Sequence, residues 1–507
     1  MKNLKVVFLF LVAIVLINVG CSKHNDTGSG TDTNTNTGGG STYLKAPSNN
    51  PDGYATVISA DCSQTQGNVM RIEQANVHST TSAFPGEKSR TWLQGMGHTT
   101  IRTWLALSTI YNKGYAYKYD GGPDAETSLA FYSTCADSLL VALTAYEGSA
   151  SAPVPAAGAP FQNFLTQTLL YYKTKFPKIK YIEAGNEPDY LGETVTDYYN
   201  IYKYYYTAVN SVNATLGLTG NNRIMLSNAP FTSSTSVNGQ ITYDFTAAFL
   251  ALYAADTDPG KKLDFFSIHC YNGINDPVTL KTCKPQILSA LTANHLPAMP
   301  VFVTEYGMVG GSFIPSGLTE NDIMTAWPAA QLAKAFFLYD GGCDRVFNWC
   351  INHGSIPHKS ELADLTNAYP NPYGNALLFA KEVSNRGTRV KVTSTKLSAT
   401  TGLGINALAS MGNSKGIAVL VWNYNYTSTV ADQNINVQLS NIPSSAFPDG
   451  KMQVKVYMLD SNNNNIYNNP SQNTLKTTSD NTYAYSSSLA TSLKLQQNSV
   501  ALIVVTP

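Results

Sequence analysis

Residues 178–190 read KIKYIEAGNEPDY, an apolar, strand-like run that ends abruptly at Asn186-Glu187-Pro188. Pro188 has no amide donor to continue a ladder, and a proline biases the preceding residue away from helix. The run therefore predicts a strand that stops and leaves Glu187 on extended backbone. Along the rest of the chain, Thr56–Ala60, His98–Leu105, Leu139–Thr144, Arg223–Ser227, Asp264–His269, Pro300–Thr304 and Arg345–Trp349 read as strands beside this one, Ile179–Gly185. Between them lie helical patterns: PFQNFLTQTLLYYKTKF (160–176), TVTDYYNIYKYYYTAVNSV (194–212), TAAFLALYAA (246–255), KPQILSALTANH (284–295) and TAWPAAQLAKAFFLYD (325–340). Strand alternating with helix is the pattern of a parallel sheet with crossovers, and eight such strands predict an α/β fold of the (β/α)8 TIM-barrel type over residues 51–380.

From about Thr393 the texture changes. LGINALASM (403–411), KGIAVLVWNYNY (415–426), NINVQLSNI (434–442), MQVKVYML (452–459) and SVALIVVTP (499–507) are separated by Asn-, Ser- and Gly-rich turns with no helical pattern between them. These predict an antiparallel β-sandwich over residues 381–507, following the barrel. No fixed repeat period is present, which argues against a propeller or solenoid.

The other end of the chain predicts export. Lys2 and Lys5 precede Val6–Ile17, twelve residues without a polar group, which is shorter than a membrane-spanning helix and suits a signal segment. Asn18-Val19-Gly20-Cys21 resembles the bacterial lipoprotein box, although Asn18 stands where an aliphatic residue is usual; it implies a signal peptide over 1–21 and lipidation of Cys21. Residues 22–50 are rich in Gly, Ser, Thr and Asn and predict a flexible tether. The expectation is an exported bacterial lipoprotein of the outer membrane or cell surface, touching the membrane through its lipid anchor only.

Charge narrows the partners. The chain has 33 basic and 33 acidic residues in 507, with no basic stripe, which argues against nucleic acid. Seven scattered histidines show no metal-ligand spacing, no Gly-rich phosphate loop follows a strand and no Gly-x-Ser-x-Gly elbow appears, so neither a cofactor nor a metal is expected. Apart from Cys21, the six cysteines show no disulfide framework. Cys343 and Cys350, roughly 23 Å apart along an extended chain, are unsuited to each other. Buried free thiols are the preferred reading for several of the six.

A barrel of this type carries its chemistry at the C-terminal ends of its strands. Those ends bring together Arg102 and Trp104 on the second strand, Asn186 and Glu187 on the fourth, and His269 and Tyr271 on the sixth. Glu305 and Tyr306 close the seventh, and Asn348 and Trp349 the eighth. Two carboxylates facing each other across a mouth suit glycosidic bond cleavage, where one protonates the leaving oxygen and the other attacks or stabilises the anomeric carbon. Glu183 shares the face of Glu187 by period two but lies deeper, as an interior carboxylate. Glu147 reads as a solvated loop residue.

These residues resemble glycoside hydrolase clan A, in which an Asn-Glu pair ends strand four and a second Glu ends strand seven. GNEP (185–188) and VFVTEYG (301–307) fit those two places. Arg102, His269, Tyr271 and Trp349 match the clan's rim. Within the clan the chain is most similar to family 39, the β-xylosidase-like enzymes with a sandwich after the barrel. It departs at Gly185 and Asp189, where GNEPD is closer to family 79.

The resemblance implies a retaining, two-carboxylate double displacement on a poly- or oligosaccharide of plant or host type. Glu187 is implied as acid/base, with its pKa raised. Glu305 is implied as nucleophile, with Arg102 and Tyr271 as its donors. Asn186 would donate to the sugar 2-hydroxyl and Trp349 would stack on the ring; Trp104 and Tyr306 complete the substrate-binding set. His269 stays open between touching sugar and orienting another group, and Arg102 between touching sugar and pairing with Glu183. The alternative from another class is a catalytically inactive surface lipoprotein that binds glycan.

Overall fold

The computed structural model describes residues 43–48, 53–72, 74–76, 87–118, 124–144, 154–235, 241–307, 320–351, 362–364, 369–425, 432–472 and 474–507. The signal segment, Cys21, most of the tether and Glu147 lie outside these. Among the described residues no helix is long and apolar enough to cross a membrane.

Eight parallel strands form the barrel: Ala75–Asn76, His98–Ala106, Ala136–Thr144, Ile179–Ala184, Met225–Asn228, Phe266–Cys270, Val301–Tyr306 and Arg345–Asn348. Numbered one to eight, their order in the sheet is 5-4-3-2-1-8-7-6. Among the described residues strands five and six share no ladder; the seam is closed by two isolated backbone bonds, from the Asp264 amide to the Leu226 carbonyl at 2.8 Å and from the His269 amide to the Phe231 carbonyl at 2.9 Å, and by side chains. Ser227 donates its hydroxyl to that of Ser267 at 2.7 Å, and Asn228 exchanges hydrogen bonds with the Ser267 backbone at 3.0 Å in both directions.

Each predicted helix forms, as Ala159–Lys175, Val195–Thr215, Asp244–Ala255, Cys283–Ala293 and Glu320–Asp340. Their starts have local causes, as at Thr194, whose hydroxyl caps the amide of Asp197 at 3.1 Å. Inside the barrel, Leu140, Tyr181, Phe265, Phe302 and Phe347 make a separate apolar cluster. Tyr181 and Glu183 are two residues apart on one strand face, so this cluster is the floor beneath the polar mouth.

The strand expected at Thr56–Ala60 as the barrel's first is real but belongs elsewhere. It is part of Ala55–Asn68, which pairs antiparallel with Thr388–Ser394 and parallel with Gln433–Ser440 in the second sheet. The barrel instead begins at Ala75–Asn76, a strand of two residues. The second sheet has nine strands and is antiparallel apart from that one pairing. Val454 and Leu493, from strands near opposite ends of the order, share one apolar core with Val57, Val419 and Val437. A sheet can bury both of its ends in one core only by curling over on itself, which gives the sandwich.

Its strand Gly416–Tyr424 is buried along its whole length. Val419 and Val421 face the sandwich interior, while Ala418, Leu420 and Trp422 face the barrel's helices; the Trp422 ring meets Phe336 at 5.4 Å. Burial on both faces explains why this strand reads as a continuous apolar run. The expected tether also ends earlier than residue 50. Ala46 is buried in the sandwich core, and the carbonyls of Leu44 and Pro47 accept from Ala484 and Ala490 at 2.8 and 2.6 Å. The six described cysteines are buried free thiols.

Candidate active site

Strand four delivers Glu187 by an unexpected path. Gly185 takes φ +112° and Glu187 itself φ +49°, so the residue before Pro188 is left-handed rather than extended. That conformation costs a side-chain-bearing residue about 1–2 kcal/mol, so neighbouring contacts must hold it. The Glu187 amide donates to the carbonyl of Pro230 at 3.1 Å, and its carbonyl accepts from Leu191 at 3.1 Å. Asp189 pins the same turn, accepting on Oδ2 from the amide and hydroxyl of Thr232 at 2.8 and 2.7 Å. Asp189 thus fixes the Glu187 backbone to the segment after strand five.

Arg102 is the hub of the opposite side. Fully buried, it donates from Nε to Glu183 at 2.7 Å, from Nη1 to Glu305 at 2.6 Å and to Asn76 at 3.2 Å, and from Nη2 to the side-chain Oδ1 of Asn186 at 2.9 Å. Both readings of Arg102 as a protein contact hold, pairing with Glu183 and donating to Glu305. Its place among the sugar contacts does not, since the guanidinium is enclosed by protein. Asn76, buried at the end of strand one, also donates to the carbonyls of Thr304 and Asn348 at 2.7 and 3.2 Å. It ties strands one, seven and eight together beneath Glu305. Sequence reasoning missed it because a two-residue strand has no periodicity to detect.

Tyr271 donates its hydroxyl to Oε2 of Glu305 at 2.5 Å. Burial, then the Glu305 charge, raises its pKa well above the ordinary tyrosine value, so the phenol remains a donor. His269 stands between the two carboxylates. Its Nδ1 is 2.5 Å from Oε1 of Glu187, and its Nε2 is 3.5 Å from Oε1 of Glu305. The ring is buried, so it acts on the carboxylates rather than reaching into the mouth.

Burial pushes His269 down to about 4 against the pull of Glu305, leaving the imidazole neutral near neutral pH. Burial likewise raises the Glu187 carboxyl, opposed in part by Arg102. The Glu187 side chain is 20% exposed against 7% for Glu305, so the raised carboxyl is the one more open to the mouth.

Two aromatic rings lie beside these groups. Trp104 and Trp349 meet edge to face with centroids 6.1 Å apart, and the Arg102 guanidinium lies 4.4 Å over the Trp104 ring. Both indoles are half-buried. Tyr306 is not part of this group. It is fully buried, with its hydroxyl 3.2 Å from that of Tyr373 on the helix Pro372–Ser384. Alternation along strand seven sends Glu305 inward and Tyr306 outward.

Ligating atoms of Glu187, His269 and Glu305 all lie within 4.8 Å of one another, close enough to share a cation. The Arg102 guanidinium, 2.6 Å from Glu305, already supplies a positive charge at that place.

No protein-family model matches the sequence, and no curated protein is similar to it in sequence. Solved structures are similar to it in fold. A glucosidase from Croceicoccus marinus superposes with a TM-score of 0.67 at 14% identity, covering 90% of this chain and 99% of that one. A monomeric β-xylosidase from Caulobacter crescentus CB15 gives 0.61 at 13%, covering 89% and 100%. A GH39 enzyme from Xanthomonas axonopodis pv. citri gives 0.60 at 15%, covering 90% and 99%. At these identities the likeness establishes the architecture, a (β/α)8 barrel joined to a mostly antiparallel sheet domain, which this chain shares with glycosidases over nearly its whole length.

Proposed function

We propose that the protein is a retaining, β-xylosidase-like glycoside hydrolase of poly- or oligosaccharides, with Glu187 as acid/base and Glu305 as nucleophile. The observation that carries this is the spacing of the two carboxylates: an oxygen of each lies within 4.8 Å of an oxygen of the other. Retaining enzymes hold the pair about 5–5.5 Å apart, whereas inverting ones leave about 6.5–9.5 Å for a water.

The protons support the same assignment. With His269 neutral, the tautomer carrying hydrogen on Nε2 turns that hydrogen toward Glu305 and leaves Nδ1 to accept from a protonated Glu187. One imidazole then favours the acid form of Glu187 and the ionised form of Glu305 together. Glu305 attacks the anomeric carbon as Glu187 protonates the leaving oxygen. Glu187, now a carboxylate, later takes a proton from the water that releases the sugar. The bond from Arg102 to the side-chain Oδ1 of Asn186 orients that amide so that its nitrogen is the end presented to the 2-hydroxyl. Trp349 and Trp104 supply the ring platform.

Export and lipidation at Cys21 remain part of the proposal, placing the enzyme on a bacterial surface among plant or host glycans. The test is a panel of aryl glycosides in which proton NMR follows the first anomer released. Retention of configuration supports the reading and inversion overturns it; glycan binding without turnover would return the binding-only alternative.

A further inference from the structure

Behind the nucleophile lies a buried cation that the mechanism above does not use. Lys334, on the helix Glu320–Asp340, is fully buried. Its Nζ donates to the carbonyl of Tyr271 at 2.9 Å and to that of Gly307 at 2.6 Å. Tyr271 follows strand six and carries the hydroxyl bound to Glu305; Gly307 follows strand seven, two residues beyond Glu305. A single ammonium therefore links the two chain segments whose side chains form the Tyr271–Glu305 hydrogen bond.

Space at this place is tight. A Cβ on Gly307 would lie 3.3 Å from the Trp349 carbonyl and 3.7 Å from the Tyr271 ring. We infer that Lys334 is a positioning residue, which sets the ends of strands six and seven so that the Tyr271 hydroxyl rests on Glu305. The inference rests on the proposed role of Glu305 as nucleophile.

An apolar helix residue would avoid the cost of desolvating an ammonium, but it could not hold two carbonyls on separate strands. Charge-assisted bonds are about twice as strong as neutral ones, so the tether weakens when the amine loses its proton. Burial brings Lys334 down to about 8. The titratable groups acting on it among the described residues are the thiols of Cys270 and Cys283, 3.8 Å apart, the latter accepting from the Tyr243 hydroxyl.

The test is the pH dependence of kcat/KM on a dinitrophenyl glycoside. That leaving group needs no proton from Glu187, so an alkaline limb cannot come from the acid. The unaltered protein should lose activity through pH 8, and K334R, which stays charged, should keep it. C270S should retain the limb. K334M should lose roughly 30-fold in kcat with KM little changed. A limb that persists unchanged in K334R, or that disappears in C270S, overturns the inference, as does a K334M of unaltered kcat.

A crystal structure of K334M gives a readout independent of turnover. The Tyr271 hydroxyl should leave Glu305, now 2.5 Å away; if it stays, the inference fails whatever the kinetics. Should K334M not fold, the K334R profile decides. Absence of any glycoside cleavage by the unaltered protein would instead defeat the catalytic reading of the site, leaving the crystal structure to judge the tether.

Discussion

Two glutamates share this cavity, and their surroundings could hardly differ more. Glu305 is gripped by a guanidinium and a phenol, at 2.6 and 2.5 Å, on its two oxygens. Among the described residues Glu187 has one side-chain partner, the neutral His269 imidazole, and burial raises its pKa with only partial opposition from Arg102. The first setting immobilises an anion; the second favours a carboxyl that can hold a proton and give it up. Under the proposed mechanism one site serves two opposite tasks because donors are concentrated on one wall.

The contrast is most severely tested by removing each carboxylate. E305Q should lose about 10⁴-fold or more in kcat/KM on every glycoside, since no other group is placed to attack. E187Q should lose about 10²–10⁴-fold on alkyl or sugar leaving groups, and far less on dinitrophenyl glycosides that leave unaided. Steady-state rates across a leaving-group series check this. If both variants respond equally to leaving-group acidity, the division of labour is wrong.

The histidine between the two predicts a smaller effect, on stability. An unfolded histidine titrates near 6.5, whereas His269 in the fold is brought down to about 4. Between those values the unfolded chain binds more protons than the folded one, so stability falls as pH drops from 6.5 toward 4, by about 3 kcal/mol in total. The raised Glu187 carboxyl works the other way, because the fold takes up that proton first, and it offsets part of the loss. In H269Q the acid-side fall in Tm should flatten over this range. An undiminished slope in the variant would mean that the fall comes from other groups.

The difference between the two walls was only partly legible in the sequence. Glu187 and Glu305 could be found because each closes an apolar run, which is a one-dimensional signal. Asn76 could not, because it closes a strand of two residues. The run at Thr56–Ala60 alternates as a strand should, but alternation does not say which sheet a strand joins; pairing with residues more than 330 positions away decided that. Tyr306 was misplaced by reading adjacency to Glu305 as a shared direction, although period two sends neighbours to opposite faces. The left-handed backbone at Glu187 was hidden because the proline rule describes an average residue, and here Pro230, Leu191 and the Asp189–Thr232 clamp override it.

The finest test of the comparison removes one donor from the richer wall while leaving its charge intact. Y271F deletes the hydroxyl on Oε2 of Glu305 but keeps Arg102 on Oε1. A hydrogen bond to a charged group contributes about 2 kcal/mol, so kcat/KM should fall roughly 30-fold, well short of the loss in E305Q. The loss should be the same for good and poor leaving groups, because on the proposed mechanism Tyr271 orients the attacking oxygen and takes no part in protonating the departing one. A loss that grew with leaving-group pKa would instead place Tyr271 on the acid's side of the cavity, and the asymmetry between the two walls would have to be redrawn.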